Sequence, residues 1–221
     1  MRKLSEEELK NVLEDHKLWL ESNKDGKCAD LSHTDLSGVD LQHVDLCSAD
    51  LSGADLSEAN LSNADLSWSS LIRANLANAK LVGTKLTNAN LTKANLIYAD
   101  LTDAVLASVN LINVNLTGAN LTRTDLAWAN LTGANLSGAN LNHADLRCVD
   151  LANANLCNAN LTDANLSEAS LYNVDLTGTN LTRTDLAWAN LTGANLFKVN
   201  LSAANLYYVN LVNVKNLNTI I

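Results

Sequence analysis

The sequence predicts an all-β fold, a β-solenoid of about nine stacked coils closed at its N-terminus by an α-helical cap. Three observations lead to this expectation. Leu recurs at every fifth position from Leu31 to Leu211, 37 times without exception. A small or β-branched residue, chiefly Ala, stands two positions before each Leu, usually with Asp or Asn between them. The chain has no proline and 4% aromatic residues, so Leu, Ala and Val must fill the core.

A period of five suits neither a continuous helix nor a flat strand, which need apolar residues about every 3.6 and every 2 positions. Within a three-residue strand, however, the small residue and the Leu point to one side and the Asp or Asn to the other. The two residues that follow must then turn the chain. If each bend is about 90°, four units form a coil of about 20 residues, and successive coils stack about 4.8 Å apart.

The repeated unit, A(D/N)LSX, resembles that of the pentapeptide-repeat family. It is clearest in ADLSGADLSEANLSNADL at residues 49–66 and in ANLTGANLSGANL at residues 129–141. The resemblance covers about residues 29–214 and implies a right-handed quadrilateral parallel β-helix. In such a helix the Leu and the small residue point inward and the other three residues point outward.

The ends of a solenoid expose unpaired edges and need covers. Ser5 and Glu8 have the spacing of a capping box, and Leu4 and Leu9 that of a hydrophobic staple. We therefore predict a helix from Glu6 to Ser22 lying over the first coil. Its apolar face consists of Leu9, Val12, Leu13, His16, Trp19 and Leu20. We expect Trp19 to be buried there, and His16 to be a partly buried helix residue rather than a ligand.

The chain thus divides into a capping helix (1–24), a pentapeptide-repeat β-helix (25–215) and a C-terminal tail or cap (216–221). Bulky groups gather at the C-terminal end, at Phe197, Tyr207, Tyr208 and the tail NLNTII. They fit either a cap or a dimer interface. Because the family includes proteins that pair through their C-terminal coils, the resemblance makes a homodimer plausible.

Several classes of protein are disfavoured. No apolar run approaches the ~20 residues of a membrane span, and MRKLSEEELK has no apolar segment typical of a secretory signal. The cysteines lack a CxxC pattern and are expected to be reduced, in a cytoplasmic protein without a membrane partner. These cysteines are Cys28, Cys47, Cys148 and Cys157.

Enzymatic function is not expected. The histidines are scattered along the chain, and no metal-spaced cluster, phosphate-binding loop or nucleophile motif is present. A regular solenoid also offers no deep pocket for a small molecule. We therefore predict no catalytic residue, no metal site and no cofactor. The histidines are His16, His33, His43 and His143.

Residues 20 apart should stack, so the second position after each Leu can be followed as columns along the rod. One column contains three of the four tryptophans and forms a candidate interaction face, made of Trp68, Trp128, Trp188 and Tyr208. Exposed aromatic rings are typical of binding surfaces. Duplication is an equally good explanation, because residues 117–136 and 177–196 differ only at Ala119 and Thr179.

A neighbouring column should place Asp103 beside Arg123 and Asp163 beside Arg183, each one coil apart. We expect these pairs to be structural, because exposed ion pairs contribute only about 0–1 kcal/mol each.

The net charge of −9 is concentrated near the N-terminus. Residues 25–65 carry nine acidic residues against Lys27 alone, whereas acids and bases balance over residues 66–221. We define a candidate acidic patch as Asp30, Asp35, Asp40, Asp45, Asp50, Asp55, Glu58 and Asp65.

Some members of the family, the quinolone-resistance proteins, bind DNA gyrase as acidic rods that look like DNA. A DNA mimic should be acidic along its whole length, and here only the first two coils are. Phe, common at the central position of those members, never occurs there. The sequence therefore favours a non-enzymatic scaffold or protein–protein interaction module with an unknown protein partner. It indicates no direct nucleic-acid binding. Gyrase modulation is the alternative, and a regulatory role is equally compatible.

Overall fold

The computed structural model describes residues 1–22 and 25–219. It contains a short strand β1 (Arg2–Lys3), a helix α1 (Glu6–Leu20), a second strand β2 (Thr34–Asp35) and a 3-10 helix (Leu217–Thr219). β1 pairs with β2 in parallel. The predicted boundary at residue 24, the adjoining residue 23 and the last two tail residues, 220 and 221, lie outside the described residues.

The repeats form coils with a fixed register. Parallel single-residue bridges join the residue before each Leu to the residue 20 positions later, beginning with Asp30↔Asp50 and ending with Asn195↔Lys215. Four pentapeptides therefore make one coil, and the predicted parallel stacking is confirmed. Because each bridge is one residue long, regular strands in the described part of the chain are limited to β1 and β2.

The predicted ladder of small and large aliphatic side chains fills the interior. Every central Leu from Leu31 to Leu196 is buried, as are most of the Ala and Val residues two positions before them. Thr replaces Ala at a few of these positions and remains buried because its hydroxyl donates to a backbone carbonyl, as Thr84 does to Leu61 at 2.7 Å.

The backbone N–H groups of one pentapeptide show how the coils are held. Within residues 50–54, Leu51 donates to the carbonyl of Ser70 in the next coil and Asp50 to that of Ala29 in the previous one, at 2.7 and 3.0 Å. Gly53 also donates to the next coil, and Ala54 closes a turn onto Leu51. Four of the five N–H groups are thus satisfied by backbone carbonyls.

The fifth N–H group is satisfied by the Asp or Asn side chain. The residue after each Leu donates its N–H to Oδ1 of the Asp or Asn before that Leu, as Ser52 does to Asp50 at 2.9 Å. We call the residue before Leu the Asx position. Every Asp or Asn there accepts this bond. Other residues occupy the position between Leu31 and Leu211 only at Ser70, Lys80, Lys85, Val105 and Ser170.

The second residue after each Leu forms the corner of the coil. It has a positive φ, near 60° at Trp68 and Glu58 alike, as expected for the third residue of a type II turn. Gly is the residue best suited to this conformation, and Asn, Asp and His tolerate it better than most. Large side chains at these corners point away from the core.

The helical cap is largely as predicted. In the capping box, Glu8 donates its N–H to Ser5 Oγ at 3.2 Å, and Ser5 donates its own to Glu8 Oε2 at 2.7 Å. The hydrogen bonds of Ser5 lower the pKa of the Glu8 carboxyl. The helix ends at Leu20, two residues before the predicted end.

The predicted burial of Trp19 is wrong. Its side chain is 39% exposed, whereas His16 is completely buried. The physical reason is the hydrogen bond from the Ala29 N–H to His16 Nδ1, which draws the imidazole over the first coil. The Trp19 ring then stacks on the outside of the imidazole, with centroids 5.6 Å apart.

The C-terminal coil is open in the described residues. The central residues Leu206 and Leu211 are exposed, unlike their equivalents in earlier coils. The 3-10 helix is held at one edge, where Lys198 donates its N–H to Thr219 Oγ1 at 3.1 Å. Leu217 is itself half exposed, so within residues 1–22 and 25–219 this short helix leaves the last coil uncovered.

Candidate interaction surfaces

The predicted aromatic column is present and faces solvent. Trp68, Trp128, Trp188 and Tyr208 are 65%, 69%, 59% and 63% exposed. The three tryptophans occupy corner positions with φ of 63°, and the bridges place each of them in register three coils from the next. Three coils correspond to about 14 Å at the strand spacing. We keep the name aromatic column for these four residues.

The C-terminal end of the aromatic column is a cluster of rings. Trp188 stacks on Tyr208 with centroids 4.4 Å apart, and Tyr207 meets both rings edge-on. Such contacts contribute about 0.5–1.5 kcal/mol beyond surface burial. The cluster therefore holds a broad apolar surface in place beside the open C-terminal coil.

The acidic patch surrounds the rod instead of lying on one face. Bridges stack Asp30 on Asp50 and Asp45 on Asp65, each pair on a different face of the first two coils. The carboxylates also have a structural role, because each Asp of the patch accepts an N–H bond at its Asx position. At Asp30, the Ser32 hydroxyl and N–H lower the pKa of the carboxyl.

Glu58 differs from the rest of the patch. It occupies a corner position with φ of 60°, and its carboxylate makes no hydrogen bond or ion pair with any residue that the structure describes. The patch is therefore a ring of bonded aspartates with one projecting glutamate.

The two predicted ion pairs form. Arg123 binds Asp103 through two hydrogen bonds of 2.7 Å, and Arg183 binds Asp163 through two of 2.6 Å. The hydrogen bonds from Arg123 lower the pKa of the Asp103 carboxyl. Both pairs are exposed, so each contributes little to stability.

A groove lies beneath the helical cap. It has a volume of about 770 Å³ and runs between α1 and the first coils. Its apolar wall includes Leu9, Leu13, Val39 and Val44, and charged side chains line its rim. Regular coils alone offer no deep pocket. The groove arises where the helix departs from them.

Over residues 1–22 and 25–219, no group of three or more His, Cys, Asp or Glu side chains could hold a metal ion. All four cysteines are free. Among the described residues, no helix has the length and apolar character needed to cross a bilayer.

Comparisons with known proteins identify related chains. The family model described as pentapeptide repeats matches residues 29–67, 69–107, 110–147, 144–183 and 184–215. No curated protein matches the chain. Among solved structures, HetL is a pentapeptide repeat protein involved in heterocyst differentiation regulation, from the cyanobacterium Nostoc sp. strain PCC 7120. It is 32% identical over 96% of this chain and 94% of its own, with a TM-score of 0.40.

Two further solved structures are similar. Rfr23, a pentapeptide repeat protein from the cyanobacterium Cyanothece 51142, is 38% identical over 42% of this chain and 63% of its own, with a TM-score of 0.41. A trypsin-treated variant of QnrB1, a plasmid-mediated fluoroquinolone resistance protein, is 20% identical over 82% of this chain and 78% of its own, with a TM-score of 0.43.

Proposed function

Since the chain belongs to the pentapeptide-repeat family, we propose that it is a non-enzymatic scaffold, a protein–protein interaction module whose partner docks on the aromatic column. The family also leads us to propose a right-handed coil with four faces. The partner is a protein of unknown identity, and the rod presents several binding surfaces at defined spacings.

The observation that carries this proposal is the exposure of three tryptophans at corner positions. A bulky residue with positive φ is strained, at about 1 kcal/mol or more, and an exposed ring adds no core packing. Duplication accounts for Trp188 as a copy of Trp128, but Trp68 lies outside the duplicated segments. Aromatic rings of this kind are favoured at the centres of protein interfaces.

A capture experiment tests the proposal. The purified protein serves as bait beside the double variant Trp128→Ala/Trp188→Ala. The matched control is Tyr98→Ala/Tyr172→Ala, which removes two exposed rings from other columns. We expect a partner that binds the wild type and the control but not the tryptophan variant. A tryptophan variant that captures the same proteins as the wild type would show that the column is not the docking surface.

The open C-terminal coil supports self-association as a second feature of the proposal. Leu206, Leu211 and Leu217 present an apolar end next to the ring cluster, and a second copy offers the same surface for a two-fold contact. The contact would cover the unpaired edge of the last coil. We therefore propose a homodimer formed through the C-terminal coils.

Modulation of DNA gyrase is the less favoured function. The excess of acidic over basic residues is confined to the first two coils of the rod, and residues 66–99 carry four basic residues and no acidic one. A surface with this alternation of sign does not match the continuous negative charge of a duplex.

A further inference from the structure

The backbone N–H of Ile72 lacks the acceptor that most of its equivalents on the rod have. Ser70 occupies the Asx position before it, and the Ser70 hydroxyl hydrogen-bonds to Ser52 Oγ at 2.7 Å instead of capping the backbone. As a result, the Ile72 N–H has no hydrogen-bond acceptor among the residues described. Ile72 also lines a surface cavity.

The unpaired N–H lies beside a column of basic side chains. His33, Gly53, Arg73 and Lys93 occupy the same corner in four successive coils. Gly53 has no side chain, and the His33 ring lies over it so closely that a Cβ on Gly53 would be 2.6 Å from Nδ1. Beside this glycine lies a cavity of about 300 Å³, whose lining includes His33, Ile72, Arg73 and Lys93.

Two cationic side chains of this cavity, Arg73 and Lys93, have no ion-pair partner among the described residues. No Asp or Glu lines the cavity. Elsewhere on the rod, each of the three other arginines in the coils binds an Asp through at least two short hydrogen bonds, and these are Arg123, Arg147 and Arg183. Arg73 is therefore the arginine of the coils that is available for another anion.

We propose that this corner, which we call the Gly53 notch, binds a phosphate group. One phosphate oxygen takes the place of the missing Asx oxygen on the Ile72 N–H. The Arg73 guanidinium presents its paired donors to two others, and Lys93 and His33 flank the charge. A phosphate dianion has enough oxygens for all of these donors, and the fork of Arg suits its geometry. The notch is independent of the aromatic column, which occupies another corner.

The chain contains a matched control for the central feature. Ser170 is the Asx residue on the same face five coils later, and the Tyr172 N–H likewise has no acceptor among the described residues. The corner residues around it are Asn153, Asn173 and Gly193, which carry no charge. Ser70→Asn and Ser170→Asn should both restore the Asx bond, but only the first should close a phosphate site.

The experiment titrates the protein with inorganic phosphate and follows the amide and histidine ring resonances by NMR. The ionic strength is held constant, because added salt alone screens surface charge. We expect saturable shifts of the Ile72 amide and of the His33 ring. Ser70→Asn and Arg73→Ala should each weaken binding about tenfold or more, the loss expected for one charge-assisted hydrogen bond. Ser170→Asn and Arg123→Ala should bind like the wild type.

A second titration uses O-phosphoserine to distinguish free phosphate from a phosphate monoester. Tighter binding of O-phosphoserine would identify a monoester as the ligand, and equal or weaker binding would identify free phosphate. The proposal is overturned if neither probe shifts the Ile72 amide more than sodium chloride does. It is also overturned if Ser70→Asn, folded as judged by its amide spectrum, binds phosphate as the wild type does.

Discussion

The N–H of Ala29 donates a hydrogen bond of 3.0 Å to Nδ1 of His16, and this bond joins the helical cap to the first coil. Nδ1 can accept only while it carries no proton, so the imidazole must be neutral, with its proton on Nε2. The His16 side chain is fully buried, and its Nε2 has no partner among the described residues. The attachment of α1 thus depends on the protonation of one ring.

Acidification is expected to release α1 from the coil. Burial lowers the pKa of His16, although the Asp45 carboxylate and the Cys47 backbone oppose this effect. The unfolded cap therefore binds a proton at a higher pH than the folded cap. The stability of the cap is complete above about pH 6.5, the pKa of an unperturbed His, and declines as the pH falls below it. Hydrogen exchange of the α1 amides between neutral and mildly acidic pH measures the loss.

His16→Gln provides the control for this prediction, because Gln keeps an oxygen that can accept from the Ala29 N–H but does not titrate. Its cap should show no change in stability between neutral pH and about pH 5. Equal losses of protection in both proteins over this interval would mean that a different group controls the cap.

Leu126 and Trp128 belong to the same turn, but truncation of the two side chains should change the stability by very different amounts. Leu126 is fully buried, so Leu126→Ala should lower the free energy of unfolding by about 2–5 kcal/mol. Trp128 is exposed and has positive φ, so Trp128→Gly should be neutral or slightly stabilising. Thermal and denaturant unfolding measure both changes. A large loss of stability in Trp128→Gly would assign the ring a structural role.

Val105 occupies an Asx position without an acceptor, and Val105→Asn should stabilise the coil. The Asn Oδ1 can accept the Ala107 N–H, which has no acceptor among the described residues, for a gain of about 0.5–1.5 kcal/mol. Val109→Asn is the control, since Val109 is buried and an amide there would lose hydration. Urea unfolding should show opposite effects of the two variants, and a destabilised Val105→Asn would contradict this role of the Asx position.

The protein is expected to form a dimer through its C-terminal end. Leu206→Asp/Leu211→Asp should convert it to a monomer, because charges at the contact would lose hydration without a partner. Light scattering after size-exclusion chromatography measures the mass. Tyr98→Asp, on an exposed mid-rod residue, should leave the dimer intact. A monomeric wild type at the highest soluble concentration would rule out this contact.

Purified protein should not inhibit DNA supercoiling by gyrase. The basic residues Arg73, Lys80, Lys85 and Lys93 interrupt the acidic surface after the first two coils, and positive charge should weaken docking in a site that binds DNA. A gyrase supercoiling assay with the protein at tens of micromolar tests this. Linear duplex DNA, which competes for the DNA-binding site of gyrase, is the positive control. Inhibition by the wild type would make gyrase modulation the favoured function.

The coil, its register and its Leu core could be predicted because one period repeats without interruption and each unit obeys the same geometry. The ends of the rod were harder to predict. Burial of His16 instead of Trp19 depends on one hydrogen bond from Ala29, and helical periodicity places both side chains on the same apolar face. Helical periodicity therefore cannot show which of His16 and Trp19 is buried, because a single hydrogen bond decides it.

The role of the Asp or Asn before each Leu also could not be predicted from the repeat pattern. Alternation along a strand places this residue outside, but it does not show that Oδ1 bends back to the N–H two residues later. The significance of Ser70 follows only from that bond. A position that looks like a conservative polar substitution in the sequence is a missing acceptor in the structure.

The 20-residue register has a consequence for how such a chain can grow. Inserting or deleting any whole number of pentapeptides preserves the Leu core, but only multiples of four preserve the angular position of everything downstream. The two nearly identical segments beginning at residues 117 and 177 are offset by a whole number of coils, so Trp188 lies on the same corner as Trp128. A shift by one pentapeptide would have left the interior unchanged and turned the later surface by a quarter of a revolution. Packing of the core therefore tolerates a shift by any number of pentapeptides, whereas a binding surface formed by several coils is preserved only by shifts of four.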